Sequence, residues 1–297
     1  MAYYLSPKVL KNGVLLLASL LFYAWGEMFY VGIMLISIAS NYIFGRLIAT
    51  ALVADEEGAK ARALLLLGVL VNLSLLVSFK YANFISDNLS SVLLLLGMPA
   101  VDLAPIHLPL GISFFTFQAI SYIVDVYRQQ AVVQKSVFNL ALYIALFPQL
   151  IAGPIVRYHD VSTQITHRVH SLGFFSSGVE RFVLGLGKKM LIANPLGEVA
   201  DNIFALGGSD LTMPLAWIGL LAYALQIYFD FSGYSDMAIG LGRMFGFRFL
   251  ENFNFPYVAR SMQDFWRRWH ISLSTWFRDY LYIPLGGSRV TTPKIYR

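Results

Sequence analysis

The chain has 297 residues, of which 57% are hydrophobic and only 13% are charged, and its mean hydropathy is +0.62. Soluble domains carry about 25% charged residues, so this composition indicates a polytopic membrane protein. The net charge of +5 does not require a nucleic-acid partner, because Lys and Arg residues flanking membrane spans produce the same balance. No nucleic-acid partner is predicted. The sequence contains no cysteine, which excludes disulfide bonds and a cysteine acyl-enzyme in this chain.

The first two apolar runs, residues 12–26 and 28–45, are separated by Glu27. Lys and Arg residues flank the pair at its outer ends and are absent between the runs. The positive-inside rule therefore predicts that the N-terminus and the loop at Asp55 are cytoplasmic, with a tight outer turn at Glu27. No small-residue cleavage site follows the first run, so we expect these spans to act as the insertion signal themselves.

Further apolar runs continue along the chain. We expect spans at 63–79, 103–124, 136–156 and 211–229, a tilted or re-entrant segment at 88–101, and an interfacial or partly buried helix at 174–194. Pro148 and Pro154 are expected to break or kink the span that contains them. The prediction is an all-α polytopic membrane protein with about seven to nine membrane-embedded helices, some short or broken. No linker or repeat is visible, so residues 1–297 are predicted to form a single transmembrane domain.

The densest chemistry lies at about 261–281, which we interpret as one interfacial amphipathic helix. Trp266, Trp269 and Trp276 would follow one stripe of it. Asp264 precedes Arg268 by four residues, which predicts an ion pair. The neighbouring stripe is polar and places His270 among Gln263, Arg267, Ser274 and Arg278. His270 is therefore a candidate catalytic residue, although an anchoring helix whose histidine only binds a backbone carbonyl explains the same pattern.

A second polar cluster lies at the end of the span 211–229. It contains Gln226, Asp230, Ser232, Tyr234 and Asp236. A carboxylate at such a border is costly unless it is paired or hydrated, so it is by default a functional hypothesis. We expect Asp230 to pair with Arg243, Arg248 or an arginine of residues 261–281. The alternative is a purely structural pair in the head-group layer.

Other motifs predict no bound phosphate or metal. The glycines at 185–187 lack the other residues of a phosphate-binding loop, and Gly240 and Gly242 lack the dinucleotide-binding spacing. Both sets are better interpreted as sites of close helix packing. His159, His167 and His170 have neither cysteine nor paired carboxylates beside them in sequence, so no metal site is predicted.

With these residues in hand, the chain resembles the membrane-bound O-acyltransferases, and most closely their alginate O-acetyltransferase type. Four stretches carry the resemblance: residues 21–26 (LFYAWG), 111–118 (GISFFTFQ) with 125–128 (DVYR), 147–155 (FPQLIAGPI), and 226–236 (QIYFDFSGYSD) running on to 284–287 (PLGG). The resemblance covers nearly the whole chain. Members of the family also have an apolar helix before the position of Tyr3 and further spans after that of Arg297, one of them with a second histidine regarded as the chief catalytic one.

The resemblance implies a bacterial inner-membrane, multi-pass enzyme that moves an acetyl group from a cytoplasmic donor, such as acetyl-CoA, toward hydroxyl groups of an exported polysaccharide. Membrane lipid, the polysaccharide and a periplasmic acetylation protein would be its partners, and no bound cofactor is expected. His270 would orient the acceptor or take part in the proton path. The substrate-binding candidates are Arg267, Arg268, Trp269, Ser274, Asp230, Asp236 and Gln226.

Two other classes explain parts of the same sequence. A transporter without covalent chemistry would account for the broken helices and the buried carboxylate. A structural scaffold of a polymer-export complex is the second. A teichoic-acid type of D-alanyl transfer is a further possibility within acyl transfer, because a similar Trp-Arg-Trp-His segment occurs there.

Overall fold

The computed structural model describes residues 2–54, 58–100, 103–151, 153–208 and 210–289, so the predicted loop at Asp55–Glu57 lies outside the described residues. Within these ranges the protein is all-α, as predicted, and contains no strand. Contacts between helices divide it into two compact units. Unit 1 consists of the residues up to Ile151 together with Arg157–Ile165, and unit 2 of the remaining described residues. The prediction of a single domain stays a prediction.

Unit 1 contains nine helices among its described residues: α1 Ala2–Leu5, α2 Lys11–Glu27, α3 Val31–Ala54, α4 Ala59–Lys80, α5 Ala82–Leu95, α6 Ile112–Tyr127, α7 Val137–Ala145, α8 Phe147–Leu150 and α9 Tyr158–Thr166. Short 3-10 turns at Lys8–Leu10 and Met28–Tyr30 precede α2 and α3. The predicted break at Glu27 is confirmed, since this residue leaves helical geometry with φ −138° and ψ 51°. Its buried carboxylate accepts a hydrogen bond from the Leu110 amide at 3.1 Å and lies 3.2 Å from His107 Nε2.

Three segments of the described chain are long and apolar enough to cross a membrane: Lys8–Ala54, Ala59–Lys80 and Met213–Met244. The apolar helix Ile112–Tyr127 is shorter. The protein is therefore a membrane protein by length and composition of its helices. The predicted total of seven to nine embedded helices stays a prediction.

Two buried amides join α3 to α4. The side chains of Asn41 and Asn72 donate to each other's oxygens at 3.0 and 2.8 Å, and each also donates to the backbone carbonyl four residues earlier. Buried polar groups are stable when they are hydrogen-bonded in this way. The pair therefore sets the register between two otherwise apolar helices.

The predicted span at 136–156 is not one helix. α7 begins at the Ser136 cap and ends at Ala145, after which Leu146 takes an extended ψ of 110° and the four-residue α8 follows. The cause is Pro148, which cannot supply an amide hydrogen to continue the helix. The side chain of Gln149 then donates to the Tyr143 carbonyl at 2.7 Å, so this released backbone oxygen is satisfied.

A buried carboxylate in unit 1 holds the first turn of α9. Asp125 is fully buried, and its Oδ2 accepts hydrogen bonds from the His159 amide and from His159 Nδ1, both at 2.9 Å. The pKa of His159 is raised, chiefly by its hydrogen bond with Asp125, although burial alone would lower it. His159, which carried no predicted role, therefore serves as a structural partner.

We predict that Asp125→Asn lowers the pKa of His159, because the carboxylate that favours the imidazolium is removed. Since the folded pKa is raised, the stabilisation from this pair is complete below the unfolded value of about 6.5 and is lost as the pH rises through the folded value. Histidine NMR titration should show the lowered midpoint. Wild-type unfolding free energy should fall more steeply than the variant's as the pH rises above about 6.5. An unchanged His159 midpoint would contradict this account.

Unit 2 contains α10 Leu172–Gly187, a π-helical turn at Lys188–Ala193, α11 Asn194–Phe204, α12 Met213–Met244, α13 Met262–Trp266, α14 Ile271–Phe277 and a second π-helical turn at Arg278–Tyr282. Short 3-10 turns lie at Pro256–Val258 and Gly287–Arg289. The side-chain oxygens of Ser171 and Ser261 accept hydrogen bonds from backbone amides at the starts of α10 and α13. Such caps satisfy the free amides of a first turn.

Two pairs of glycines bring the backbones of α10 and α12 into contact. A Cβ added to Gly178 would lie 2.7 Å from the Gly240 carbonyl oxygen, and one added to Gly185 would lie 2.5 Å from that of Gly233. Only glycine permits this distance, so the interpretation of Gly185 and Gly240 as packing residues is confirmed. The interpretation is wrong for Gly187, which has open space, and Gly242 does not face a helix but the Phe249 ring, which would lie 2.5 Å from an added Cβ.

The predicted continuous helix at 261–281 is wrong. α13 ends at Trp266, and His270 takes a left-handed conformation with φ 42° and ψ 53° before α14 begins. The predicted pair within it is confirmed, because Arg268 Nε donates to Asp264 Oδ1 at 2.9 Å. Arg268 also donates to the Asn254 carbonyl at 3.2 Å. These bonds hold the turn between the two helices. Because the helix is interrupted there, the aromatic and cationic stripes do not continue from α13 to α14.

Candidate active site

His270 lies at the start of α14 and is 9% exposed. Its Nδ1 is 3.0 Å from Asn252 Oδ1. The ring of Phe231, from α12, meets the imidazole edge to face with 4.7 Å between the ring centres. Burial lowers the pKa of His270 to about 4. The side chain is therefore a neutral imidazole at neutral pH.

The amide of Asn252 is the centre of a small buried network. Its Oδ1 accepts from the Ser272 amide at 3.2 Å and from the Ser272 hydroxyl at 2.9 Å, in addition to its contact with His270. The Ser272 hydroxyl in turn accepts from the Ile155 amide at 2.9 Å. The Asn252 backbone carbonyl accepts from the Ile271 amide at 2.9 Å. Both backbone and side-chain contacts thus secure the segment that carries His270.

A second network surrounds Asp236 on α12. Arg181 Nε donates to Asp236 Oδ1 at 2.9 Å, and Lys188 Nζ to Oδ2 at 2.6 Å. Arg181 also reaches Glu251 at 2.5 Å. Asp236 is 6% exposed, so two cations compensate its charge in a largely desolvated place.

The partners predicted for Asp230 were wrong. It pairs with Lys189, on the π-helical turn that follows α10. Arg243 lies instead 3.8 Å from Glu251, and Arg248 stacks on the Phe174 ring at 5.2 Å. The π-helical turn places Lys188 and Lys189 opposite the two carboxylates of α12, a pairing that no local spacing indicates.

A cavity of about 850 Å³ lies in unit 2 beside these groups. Its polar lining includes Arg181, Lys188, Ser232, Asp236 and Glu251. The rest of the wall is mainly apolar, and includes the following residues: Val183, Leu184, Leu191, Ile192, Tyr228, Phe253, Phe255 and Ile271. Ile271, which directly follows His270 in the chain, also lines the cavity, whereas His270 itself does not.

One polar group of this cavity is unsatisfied. The Ser232 hydroxyl is buried and has no hydrogen-bond partner within the described residues. Buried hydroxyl groups usually have a partner. An amphiphilic cavity with compensated charges and a free hydroxyl can hold a molecule that combines apolar and polar parts.

Among the predicted site residues, Asp236 lines the cavity, and His270 is the neighbour in sequence of the lining residue Ile271. Arg267 is exposed, and Trp269 is stacked on Phe265 at 5.5 Å.

The remaining predicted binding residues take other places. Ser274 is half-buried on α14, where its amide donates to the His270 carbonyl at 3.1 Å. Gln226 is half-buried one turn before Asp230 and packs beside Gly197. Their binding roles, like those of Arg267, Arg268 and Trp269, stay predictions.

Sequence reasoning missed the roles of four residues here: Asn252, Ser272, Arg181 and Lys188. In the sequence, Asn252 lies in no recognisable motif, and Arg181 and Lys188 only interrupt the apolar run 174–194. The partners lie at least 18 residues apart in the chain, so no helical spacing could have shown them.

The described residues thus belong to an all-helical membrane protein that has a buried imidazole and an amphiphilic cavity in the same unit. The model of the membrane-bound O-acyltransferase family matches residues 113–297. The chain belongs to this family.

The chain is also similar to three individual proteins. The chain is 50% identical over 295 residues to a probable alginate O-acetylase of Azotobacter vinelandii, covering 99% of this chain and 58% of that protein. It is 39% identical to a peptidoglycan O-acetyltransferase of Helicobacter pylori, over 95% of this chain and 57% of that protein. It is 31% identical to a teichoic acid D-alanyltransferase of Bacillus subtilis, over 59% of this chain and 45% of that protein. The chain thus spans little more than half the length of the first two.

Proposed function

We propose that the protein is a bacterial inner-membrane O-acetyltransferase, which transfers an acetyl group from a cytoplasmic donor toward hydroxyl groups of an exported, alginate-like polysaccharide. Family membership and the identity with a probable alginate O-acetylase support this proposal. The structural observation that carries it is the buried, neutral imidazole of His270, whose neighbour in sequence, Ile271, lines the cavity.

The reaction joins the oxygen of a hydroxyl group to the acetyl carbon. With a thioester donor, a carbon–oxygen bond forms, the carbon–sulfur bond breaks, and the hydroxyl proton passes by way of a base to the leaving thiolate. A base with a pKa near the working pH suits full proton transfer best. His270, with a pKa of about 4, is better suited to accept a hydrogen bond from the acceptor hydroxyl and orient its oxygen.

The cavity suits an amphiphilic substrate. Arg181 and Lys188 compensate Asp236 and Glu251, which leaves the wall nearly neutral in charge. The free Ser232 hydroxyl offers a hydrogen bond to a polar part of the substrate, while Leu184 and Phe253 contact its apolar part. We assign to this cavity a part of the acyl donor or of the acceptor complex.

Acetyl-CoA is the donor we propose, and a periplasmic acetylation protein is the partner that would receive the acetyl group or present the polymer. Arg267 is exposed and lies three residues before His270 in the chain. A guanidinium pairs well with carboxylate and phosphate, so it is suited to a uronate-rich polymer or to the donor's phosphates.

The test uses the complete protein in sealed membrane vesicles. Acetyl-CoA that carries a label in its acetyl group is supplied on one side of the vesicle membrane. Deacetylated alginate and the periplasmic partner are supplied on the other side. Transfer of label to polymer or partner is the expected result. Vesicles without the protein, and vesicles with unlabelled competitor, are the controls.

The same vesicles distinguish the alternatives. Uptake of donor or polymer without label on any hydroxyl group would overturn the proposal in favour of a transporter. If the vesicles showed no uptake and no transfer, the result would favour a scaffold. Transfer of D-alanine from a loaded carrier, with no transfer of acetyl groups, would place the protein with the D-alanyltransferases.

A further inference from the structure

The hydrogen bonds around Asn252 determine which way its amide points. The Ser272 backbone amide, 3.2 Å away, can only donate, so it must face the side-chain oxygen of Asn252 and not its NH2 group. With the amide reversed, two donors would face each other. The orientation of Asn252 therefore follows from a backbone group.

This orientation decides the protonation of His270. The same Oδ1 lies 3.0 Å from His270 Nδ1, and an oxygen that only accepts requires a proton on that nitrogen. The neutral ring then carries its lone pair on Nε2. Nε2 has no hydrogen-bond partner in the part of the chain that the structure describes.

We propose that Asn252 is a positioning residue, which holds His270 in the Nδ1–H tautomer so that Nε2 faces the acceptor hydroxyl as a hydrogen-bond acceptor. This inference rests on the proposed function. Asn252 touches neither donor nor acceptor in it and acts only through the imidazole. Its own placement is rigid, because its Oδ1 takes both hydrogen bonds of Ser272 and its carbonyl takes the Ile271 amide.

A neutral amide at this position selects the tautomer of His270 without adding a charge, whereas a carboxylate would also raise the pKa of the imidazole. Burial alone lowers the pKa of His270, and the groups that contact its ring, Asn252 and Phe231, do not titrate near neutral pH. The charged groups of the cavity, Arg181, Lys188, Asp236 and Glu251, are paired with one another. The ring therefore stays neutral, and only its tautomer has to be selected.

Two variants of Asn252 separate this role from a structural one. Asn252→Leu removes the acceptor, so the tautomer is no longer selected, and we expect acetyl transfer to fall about 10- to 100-fold at every pH. Asn252→Asp keeps an acceptor oxygen and adds a charge that raises the pKa of His270 by about 1 to 3 units. Its rate should approach that of the wild type at alkaline pH and fall at acidic pH, where Nε2 becomes protonated. The wild type should show no such fall above about pH 5.

The control is Asn202, an exposed residue of α11 in the same unit. Asn202→Leu and Asn202→Asp should leave rate and pH profile unchanged. All variants are made in the complete protein, and the fraction that elutes as folded protein is measured for each.

A spectroscopic readout does not depend on activity. In protein with 15N-labelled histidine, the signals of His270 are found by subtracting the spectrum of His270→Gly. Wild type and Asn252→Asp should show a protonated Nδ1, and Asn252→Leu should show Nε2–H or a mixture of the two tautomers.

The outcomes keep the two proposals distinguishable. If the wild type transferred no label but showed a protonated Nδ1 on His270, the proposed function would be overturned and the tautomer assignment would stand. An Nε2–H signal in the wild type would overturn the inference. It would equally fail if Asn252→Leu retained the wild-type rate, or if folded Asn252→Asp and Asn252→Leu lost activity alike with no change in pH profile.

Discussion

Replacing His270 by glycine is expected to lower acetyl transfer about 100-fold or more while the protein still folds. Loss of the group that positions the reacting hydroxyl costs about 100-fold in rate. Glycine is the replacement of choice, because His270 has a φ of 42°, which alanine adopts only with strain and glycine adopts freely. The loss of rate then reports the missing imidazole and not a distorted turn.

His167→Gly is the matched control, since His167 is an exposed histidine of the same unit. It should retain the wild-type rate. Free imidazole can enter the space left by the lost ring, so it should restore part of the activity of His270→Gly and do nothing for other inactive variants. If folded His270→Gly acetylated at the full rate, His270 would have no place in the site.

The second large effect concerns stability. We expect Gly185→Ala to lower the free energy of unfolding by about 1 to 3 kcal/mol or more. Its new methyl group would lie 2.5 Å from the Gly233 carbonyl oxygen and 2.8 Å from the Met237 amide. Both are backbone atoms and cannot turn aside, so α10 and α12 must separate. Their separation also weakens the contact of Arg181 with Asp236.

Gly173→Ala provides the control for this measurement. Gly173 lies in the first turn of α10 and would place its methyl group in open space. Unfolding by denaturant in detergent should show a much lower midpoint for Gly185→Ala than for Gly173→Ala. Equal midpoints would show that the helices can move apart without cost and would contradict the packing described above.

The sequence alone determined the class of protein and its local features. Long apolar runs need a membrane whatever their tertiary partners, so the segments now seen as α4 and α12 were predictable. Pro148 ended a helix through its own covalent structure. Asp264 and Arg268 met because residues four apart lie close together across one turn of the chain. Each of these depends on neighbours in the chain.

Only the tertiary structure decided which polar groups meet. Asn252 reaches His270 because a left-handed residue separates α13 from α14, and the amphipathic pattern of residues 261–281 contains no sign of that turn. Asp236 meets Arg181 because glycines on both helices allow the backbones of α10 and α12 to touch. Glycines of this kind look the same in sequence as those in open space, such as Gly187. Helix periodicity reports which residues share a face, but the partner of that face is selected by packing between distant segments.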